Sequence, residues 1–300
     1  MTLSELKFII AVAHEKNFRK AAEKCFVSQP ALSLAIKKLE DELNIILFER
    51  SRTEVTVTPA GLLIVNQAMV VLDEAAKIKE LAKLGDSQLT QPFKLGLIYS
   101  IAPYLLPLII PKLRVNAPSM PFEIEENITK NLEDKLKKGN IDAAIIALPF
   151  EVSGTELIDL YDEEFVVVVP ADHVWTKKKA IQSSQLSKEK VLLLDNTHCF
   201  SSQVKEACPG LSKSSEIQLG NSLETIRNMV ASNLGISVLP RSACSLKHEN
   251  KLVKIIPFES PAPFRRVALA FRKSSAKKEA VSVVAKTIKE INTKSFEVEY

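Results

Sequence analysis

The sequence predicts an α/β protein preceded by a small all-α region. Two observations support this fold class. Apolar residues recur at helical spacing through residues 3–48 and again from residue 59. Beyond a polar, turn-rich linker at 85–92, short runs rich in Val, Ile and Leu alternate with helical patterns. That alternation is typical of a mostly parallel sheet, or two small ones, with helices packed against it. The length of 300 residues suits about two domains.

Composition narrows the possible classes. Hydrophobic residues make up 46% and charged residues 25%, as in ordinary globular proteins. No apolar run approaches the roughly 18 residues of a membrane span, and the N-terminus does not resemble a signal peptide. We therefore expect a cytoplasmic protein that does not bind a membrane. The net charge of +4 neither requires nor excludes a nucleic-acid partner, and four cysteines are too few for a disulfide-based fold.

Residues 3–48 predict three short helices followed by a β-wing. Ser28 suits the N-cap of the third helix, and Pro30 lies in its first turn, where the missing N–H costs nothing. Two short helices joined by a tight turn predict a helix-turn-helix. Residues 50–58 alternate polar and β-branched side chains, which favours a small hairpin after it.

The second helix of a helix-turn-helix enters the major groove of DNA. Side chains at its start can contact base edges, whereas lysines and arginines suit phosphates. Residues 1–60 hold nine basic and eight acidic residues, so a solvated helix face is the alternative interpretation for the lysines. The candidate DNA-binding residues are Arg19, Lys20, Gln29, Pro30, Ser33, Lys37, Arg50 and Arg52.

A longer helix is predicted over residues 59–86. Its apolar residues step by three and four positions, as in a two-heptad seam that pairs with another helix. Packing of this helix on its own domain explains the spacing equally well. A hinge at 87–92 follows. The residues of the seam are Leu62, Val65, Met69, Leu72 and Ala76.

The remaining chain alternates strands and helices. Predicted strands are Phe93–Ile98, Phe122–Glu126, Ile141–Leu148, Phe165–Val169, Val191–Leu194, Glu216–Leu219, Ile236–Leu239 and Arg266–Phe271. Predicted helices are Ala102–Val115, Thr129–Lys138, Ser222–Ala231 and Lys277–Ile291.

A pair of cysteines follows a buried strand in this region. Strand Val191–Leu194 runs into a loop that carries His198 and Cys199, and Cys208 comes nine positions later. Peroxide oxidises a thiolate to a sulfenic acid, which condenses with a second thiol to form a disulfide. If the intervening segment is helical, a bridge would force it to refold, because the two Cα atoms must approach within about 7 Å.

Other interpretations of the cysteines remain open at this point. Two thiols at this spacing in a reducing compartment are commonly inert core residues. Zinc bound with His198 is a weaker alternative, because adjacent His and Cys chelate poorly and tetrahedral zinc usually takes four ligands. We therefore expect no metal and no cofactor. Cys25 and Cys244 lie in apolar surroundings and are predicted to be structural.

Five segments of the first 61 residues resemble the N-terminal domain of LysR-type transcriptional regulators. That resemblance implies a dimerising linker helix and an effector domain built like a periplasmic binding protein, with two α/β subdomains. It favours the paired interpretation of the seam. The segments are Phe18–Ala21, Val27–Ser33, Ile36–Glu40, Leu47–Arg50 and Thr58–Gly61. The implied domains are 1–58 for DNA binding, 59–86 for the linker helix, 87–92 for the hinge and 93–300 for the effector domain, whose subdomains are approximately 93–164 with 266–300, and 165–265.

The effector half resembles the OxyR branch of that family, which senses hydrogen peroxide. Leu95–Pro107, Ser222–Val230 and above all the spacing of His198, Cys199 and Cys208 support this resemblance. The resemblance implies that Cys199 is the peroxidatic and Cys208 the resolving cysteine. It also implies a supporting pocket formed by Ser100, Thr129, His198 and one of Arg265 and Arg266.

The resemblance therefore implies a regulator and not an enzyme. Its implied partners are promoter DNA, RNA polymerase, further copies of the chain in a dimer of dimers, and a thiol reductant such as glutaredoxin or thioredoxin. Three alternatives remain. They are a LysR-type regulator that binds a metabolite between its subdomains, a cysteine peroxidase, and a solute-binding protein. The residues before Pro92, which form a DNA-reading module, disfavour the last two.

Overall fold

The structure, a computed structural model, describes residues 1–50, 55–81, 88–208, 211, 217–244 and 251–291. It contains two compact units, Met1–Gly85 and Asp86–Tyr300. The first is helical with a small hairpin and the second is an α/β unit, so the predicted fold class is confirmed. Within the described ranges, no helix is both long enough and apolar enough to cross a membrane.

The first unit has the predicted order of a winged helix-turn-helix. The two strands of the wing pair antiparallel, with Phe48 opposite Val57. Its elements are α1 (Leu3–Glu15), α2 (Phe18–Lys24), α3 (Gln29–Leu43), β1 (Phe48–Arg50), β2 (Val55–Val57) and α4 (Pro59–Leu81).

Side-chain caps fix the helix starts in this unit. The Asn17 side chain accepts a hydrogen bond from the backbone N–H of Lys20 at 3.0 Å and begins α2. Ser28 is the N-cap of α3, as predicted, with Pro30 in the first turn. Phe26, in the turn between these two helices, has a positive φ of 57° and is 96% exposed.

Helix α4 has two apolar faces. Val65 and Ala68 are buried in the core of the first unit, which matches the interpretation as a helix packed on its own domain. Leu62 and Met69 of the predicted seam are exposed together with their neighbour Leu63. The seam is therefore divided between internal packing and an exposed face. The side chain of its last member, Ala76, lies outside the described residues.

The second unit contains the remaining elements. Its strands are β3 (Phe93–Ile98), β4 (Phe122–Asn127), β5 (Ala143–Ala147), β6 (Thr155–Pro170), β7 (Val191–Leu194), β8 (Ile217–Gly220), β9 (Ile236–Pro240), β10 (Val253–Pro257) and β11 (Phe264–Arg272). Its helices are α5 (Ala102–Asn116), α6 (Thr129–Lys137), α7 (Cys199–Ala207), α8 (Leu223–Ala231) and α9 (Lys278–Lys289).

These strands form one sheet in the order β4-β3-β5-β11-β6-β9-β7-β8, and β10 pairs with β6. Strand β3 is parallel to β4 and β5, and β7 is parallel to β8 and β9. The central strands β6 and β11 are antiparallel to each other and to the strands beside them. The sheet is therefore mixed, and the expectation of a mostly parallel one holds only for its two ends.

Two hydrophobic cores lie along this sheet. The first core packs β3, β5 and β11 against α5, α6 and α9, and the second packs β7 and β9 against α8. Strand β6 crosses between them, with Leu160 in the first core and Phe165 in the second. Helix α7 lies at the same boundary, because Cys199 packs against the first core and Phe200 lies in the second.

Candidate functional site

The start of α3 presents an exposed polar surface. Gln29 and Pro30 are exposed in its first turn, Ser33 is half buried one turn later, and Lys37 is exposed further along. The opposite face, which includes Leu32, is sealed in the core. Helix α3 is therefore held by one face and offers the other to a partner, as a recognition helix requires.

Internal bonds account for much of the acidic charge in this unit. The Glu40 carboxylate accepts hydrogen bonds from the backbone N–H groups of Leu47 and Phe48 at 2.8 and 3.2 Å. Glu15 pairs with Lys24. The Glu40 carboxylate is therefore turned toward the fold, whereas the Glu15 pair occupies a lysine as well as a carboxylate.

The predicted phosphate contacts differ in their surroundings. Lys20 is exposed on α2. Arg19 is also exposed but pairs with Glu23 at 3.1 Å, an exposed ion pair of the kind that contributes little to stability. Arg50 ends β1, and its side chain is outside the described part of the chain, as is the whole of Arg52.

Helix α7 carries one predicted redox cysteine at each end. Cys199 is its first residue and is half buried, whereas Cys208 follows its last residue and is fully buried. Nine residues of helix separate the two Cα atoms by about 13 Å. Since a disulfide needs Cα atoms within about 7 Å, the bridge cannot form while α7 is intact. Burial raises the pKa of the Cys208 thiol to about 12.

Ser100 and Thr129 lie near the same edge of the sheet. Ser100 follows β3 and Thr129 follows β4, and these strands are parallel with Ile98 opposite Asn127. The Thr129 Oγ1 atom is buried and has no hydrogen-bond partner among the described residues. A buried hydroxyl without a partner is available to a small polar molecule.

Arg265 is the buried cation of this region, with a side chain 0% exposed. Its Nη1 and Nη2 atoms donate to the hydroxyl and the backbone carbonyl of Ser100 at 2.8 and 2.9 Å. Its guanidinium also lies over the ring of Phe200 at 5.3 Å. Because Phe200 directly follows Cys199, these contacts place the guanidinium against the first turn of α7. Ser100 accepts the arginine's hydrogen bond, which leaves its own hydroxyl proton to donate.

Arg266 is not part of this arrangement. It lies on the opposite face of β11, where its Nε and Nη2 atoms donate to the Asp162 carboxylate at 2.7 and 3.0 Å in an exposed pair. Successive residues of a strand face opposite sides, so only one of the two arginines can reach the pocket. The structure places Arg265 beside Ser100 and Arg266 at the surface.

His198 precedes Cys199 and is half buried. Its ring contacts Tyr99 edge to face with the centroids 5.8 Å apart. Burial lowers the pKa of the imidazole, and the nearby Asp195 carboxylate opposes this shift without reversing it. His198 is therefore mostly neutral near pH 7 and can act as a hydrogen-bonding group there, but not as a fixed cation.

A cleft of about 50 Å³ lies beside these residues, with Ser100 and His198 in its lining. Tyr104 crosses it from α5 and donates from its hydroxyl to Glu224 at 3.2 Å. Sites for drug-sized ligands are typically about 300–1,000 Å³, whereas water-sized molecules need only tens of Å³. The cleft is therefore smaller than a typical drug-sized site, and Cys199, Thr129 and Arg265 are not among the described residues that line it.

The other two cysteines occupy packed positions. Cys25 is half buried and packs against the core of the first unit. Cys244 is buried in the second core, and burial raises its pKa to about 12. Both environments agree with the prediction of structural thiols. Within the described ranges, no group of three His, Cys, Asp or Glu side chains could hold a metal ion.

Two residues of the site were not singled out by the sequence. Glu163 is buried and accepts a hydrogen bond from the Arg265 Nε atom at 2.8 Å. Phe200 supports the guanidinium and also packs edge to face on Phe165. The sequence shows only the acidic run at residues 162–164 before Phe165, and nothing in that run distinguishes Glu163 from its exposed neighbour Glu164.

Comparisons with known proteins agree with this architecture. Residues 3–62 match the family described as bacterial regulatory helix-turn-helix protein, lysR family, and residues 86–292 match the LysR substrate binding domain. The chain belongs to the LysR family of transcriptional regulators, which bind promoter DNA and are not enzymes. Within that family it falls in the OxyR branch.

Relatives and solved structures support that placement over almost the whole chain. A hydrogen peroxide-inducible genes activator of Haemophilus influenzae is 38% identical, with 96% of each chain covered. The DNA-binding transcriptional dual regulator OxyR of Escherichia coli K12 is 35% identical over 96% of this chain and 95% of its own. Full-length OxyR from Pseudomonas aeruginosa, with a Cys-to-Asp substitution, is 49% identical with a TM-score of 0.68, covering 97% and 96%. A peroxide-bound Corynebacterium glutamicum OxyR mutant is 33% identical, with a TM-score of 0.66 and 98% and 94% covered.

Proposed function

We propose that this chain is a transcriptional regulator that senses hydrogen peroxide through a reversible disulfide between Cys199 and Cys208. The observation that carries the proposal is the contrast between a half-buried thiol at the start of α7 and a sealed thiol at its end. Relatives named hydrogen peroxide-inducible genes activators, such as that of Haemophilus influenzae, support a role in the response to peroxide.

The first step oxidises Cys199. The thiolate sulfur attacks one peroxide oxygen, the O–O bond breaks, and the leaving hydroxide takes a proton to become water, which leaves a sulfenic acid on the sulfur. Arg265 and the positive end of α7 stabilise the negative charge of the thiolate and of the leaving oxygen. Ser100 and Thr129 offer hydroxyl groups to the two peroxide oxygens.

The second step forms the bridge. The Cys208 sulfur, after losing its proton, attacks the sulfenic sulfur, and hydroxide leaves and is protonated to water. Two thiols and one hydrogen peroxide thus give one disulfide and two water molecules. A thiol reductant such as glutaredoxin or thioredoxin reverses the oxidation by exchange.

The fold makes this second step a conformational change. The two cysteines start about 13 Å apart along α7, so that the helix must unwind for the sulfurs to meet. Unwinding withdraws Phe200 and Cys208 from the second core. The segment then has two alternative arrangements, which is what a two-state switch requires.

The readout of the switch is DNA binding. The exposed start of α3 reads base edges, and the exposed apolar face of α4 pairs two chains. We propose a homotetramer, a dimer of dimers, that contacts promoter DNA in both redox states and engages RNA polymerase differently in each. We propose that the protein works in the cytoplasm. Thiols are normally kept reduced there, so that formation of a disulfide reports an oxidant.

The test measures oxidation and DNA contacts together. Reduced full-length protein is treated with micromolar hydrogen peroxide, the 199–208 peptide is weighed by mass spectrometry, and the footprint on an operator is compared before and after. We expect a loss of two hydrogen masses and a changed footprint.

Two variants separate the roles of the cysteines. Cys199→Ser should abolish both responses, whereas Cys208→Ser should stop at a sulfenic acid that a selective reagent traps on Cys199. A Cys199→Ser protein that still responds to peroxide contradicts the proposal. Thermal stabilisation by a small metabolite, with no response to peroxide, supports the metabolite-binding alternative.

A further inference from the structure

The buried carboxylate of Glu163 is the residue of this region that the mechanism above leaves unused. It accepts from Arg265 through one oxygen, at 2.8 Å from Nε, and from the backbone N–H of Ser242 through the other, at 3.0 Å. The ion pair is closed to water, with side chains 0% and 2% exposed. Burying a charge pair is costly, so its retention in a core of apolar side chains calls for a reason.

We propose that Glu163 is a positioning residue that sets the reactivity of Cys199 through Arg265. The inference rests on the proposed function, in which Cys199 is the sensing thiol. Glu163 holds the guanidinium against Ser100 and offsets part of its positive charge. The amount of charge that Arg265 can direct at the thiolate is therefore limited by Glu163.

The geometry supports the positioning part of this proposal. One edge of the guanidinium bonds to Glu163, and the other bonds to the hydroxyl and the carbonyl of Ser100. The ring of Phe200 lies against its face. Contacts on two edges and one face leave Arg265 a single orientation. The fork of an arginine is suited to such fixed multidentate contacts, unlike the flexible ammonium of a lysine.

Charges at this depth act on their neighbours with little screening. Burial raises the pKa of Tyr161, the charge of Glu163 raises it further, and Arg265 opposes that rise. Glu163 also adds to the rise in the pKa of Cys244. The two partners thus act with opposite signs on the ionisable groups beside them. His198 precedes Cys199 and feels the charge of Asp195, whereas Arg265, Glu163 and Tyr161 form the titratable cluster on β6 and β11.

The experiment reads the thiolate directly and needs no peroxide. Reduced full-length protein is alkylated with iodoacetamide at a series of pH values, and the modified peptides are quantified by mass spectrometry. The thiolate is the species that reacts, so the pH midpoint reports its stabilisation. Cys25, in the other unit, is an internal control whose midpoint no variant should move.

Glu163→Gln removes the compensating charge and keeps the shape. We expect the Cys199 midpoint to fall by about one pH unit, because an uncompensated cation favours the charged form of a thiol. Glu163→Asp keeps the charge and should leave the midpoint near that of the wild type. Arg265→Gln should raise the midpoint, and the double variant Glu163→Gln/Arg265→Gln should have the same midpoint as Arg265→Gln, because Glu163 acts through the arginine.

Two results overturn the proposal. One is an unchanged or raised midpoint in Glu163→Gln, which is what the loss of a purely structural support would cause. The other is a double variant with the same midpoint as Glu163→Gln, since Arg265 would then not be the mediator. If Glu163→Gln does not fold, the comparison of the double variant with Arg265→Gln still decides: a clearly lower midpoint in the double variant overturns the proposal, because Glu163 would then act without Arg265. A wild type that does not respond to peroxide refutes the proposed function and leaves this test intact.

Discussion

The two ends of helix α7 differ in the exposure of their cysteines and in the polar and apolar groups nearby. At the start, Cys199 is half buried, with a histidine before it and a buried arginine against the next side chain. At the end, Cys208 is sealed among apolar residues, which raise its pKa to about 12. In the proposed function the first end reacts with peroxide, whereas the second packs in the second core.

This difference teaches why one helix can serve as a switch. A thiol that reacts with peroxide has to be accessible, whereas a thiol that changes the fold on bonding has to be part of the core. One helix meets both requirements when the two thiols lie at its opposite ends. The buried thiol then cannot reach the accessible thiol without leaving the core in which it packs. The side chains between them determine how much that departure costs.

The largest expected effect on stability comes from substitution of Phe200, which follows Cys199 in the chain and packs in the same core as Cys208. Its ring packs on Phe165 with centroids 5.4 Å apart and lies under Arg265. We expect Phe200→Ala to lower the free energy of unfolding of the reduced protein by about 3–5 kcal/mol, as for other buried aromatic residues. Urea denaturation followed by circular dichroism measures this loss. The disulfide should also form faster after sulfenic acid appears, because α7 leaves its site more easily.

The matched control is Ser202→Ala, on the exposed side of the same helix. It should change the free energy of unfolding by less than about 0.5 kcal/mol. If Phe200→Ala destabilises the protein without accelerating disulfide formation, unwinding of α7 does not limit the second step. The contrast between the two ends would then be structural and not kinetic.

The residues at the two ends of α7 could be identified from the sequence, whereas the helix between them could not. The His198 and Cys199 pair, Cys208 and the strand before them were identifiable from residue type and order. Whether the segment between the cysteines was helical stayed conditional, because its apolar residues are few. The side-chain partner of Arg265 could not be predicted either, since Glu163 is about one hundred positions away and only the antiparallel pairing of β6 and β11 brings them together.

The fold shows the same division between local and distant information. The cap Ser28 was predictable because capping acts within a few residues. Strand β6 was expected only over Phe165–Val169, yet it begins at Thr155. Its first half mixes acidic and apolar residues without a regular alternation, and pairing with β11 extends the strand there. Strand β10 was not predicted from the sequence, because it depends on pairing with β6, which is distant along the chain.

A smaller effect is expected at Gln203, which ties α7 to the first core. Its Nε2 atom donates to the backbone carbonyl of Leu148 at 3.1 Å, while its buried Oε1 atom has no partner among the described residues. Gln203→Leu removes the bond and the unpaired carbonyl together. The free energy of unfolding should therefore change by less than about 1 kcal/mol.

The rate of disulfide formation should respond more clearly than stability. Loss of a hydrogen bond worth about 1 kcal/mol should accelerate the second step roughly fivefold, if the bond is broken before the sulfurs meet. Stopped-flow mixing with peroxide and mass spectrometry of quenched samples measures this rate. An unchanged rate in Gln203→Leu, beside a faster Phe200→Ala, would mean that packing in the second core, and not the hydrogen bond to Leu148, limits unwinding.

The smallest expected effect concerns pH at the reactive end. Burial holds the pKa of His198 below its value in the unfolded chain, so the unfolded protein binds a proton first as pH falls. The stabilisation by neutral His198 is thus complete above about pH 6.5 and is lost as pH drops toward its folded value. His198→Gln cannot be protonated, so its unfolding free energy should decline less between pH 7 and 5. Since His198 is partly exposed and screened by solvent, the difference should not exceed about 0.5 kcal/mol. Parallel curves for the two proteins would show that the imidazole contributes no acid sensitivity to this end of the helix.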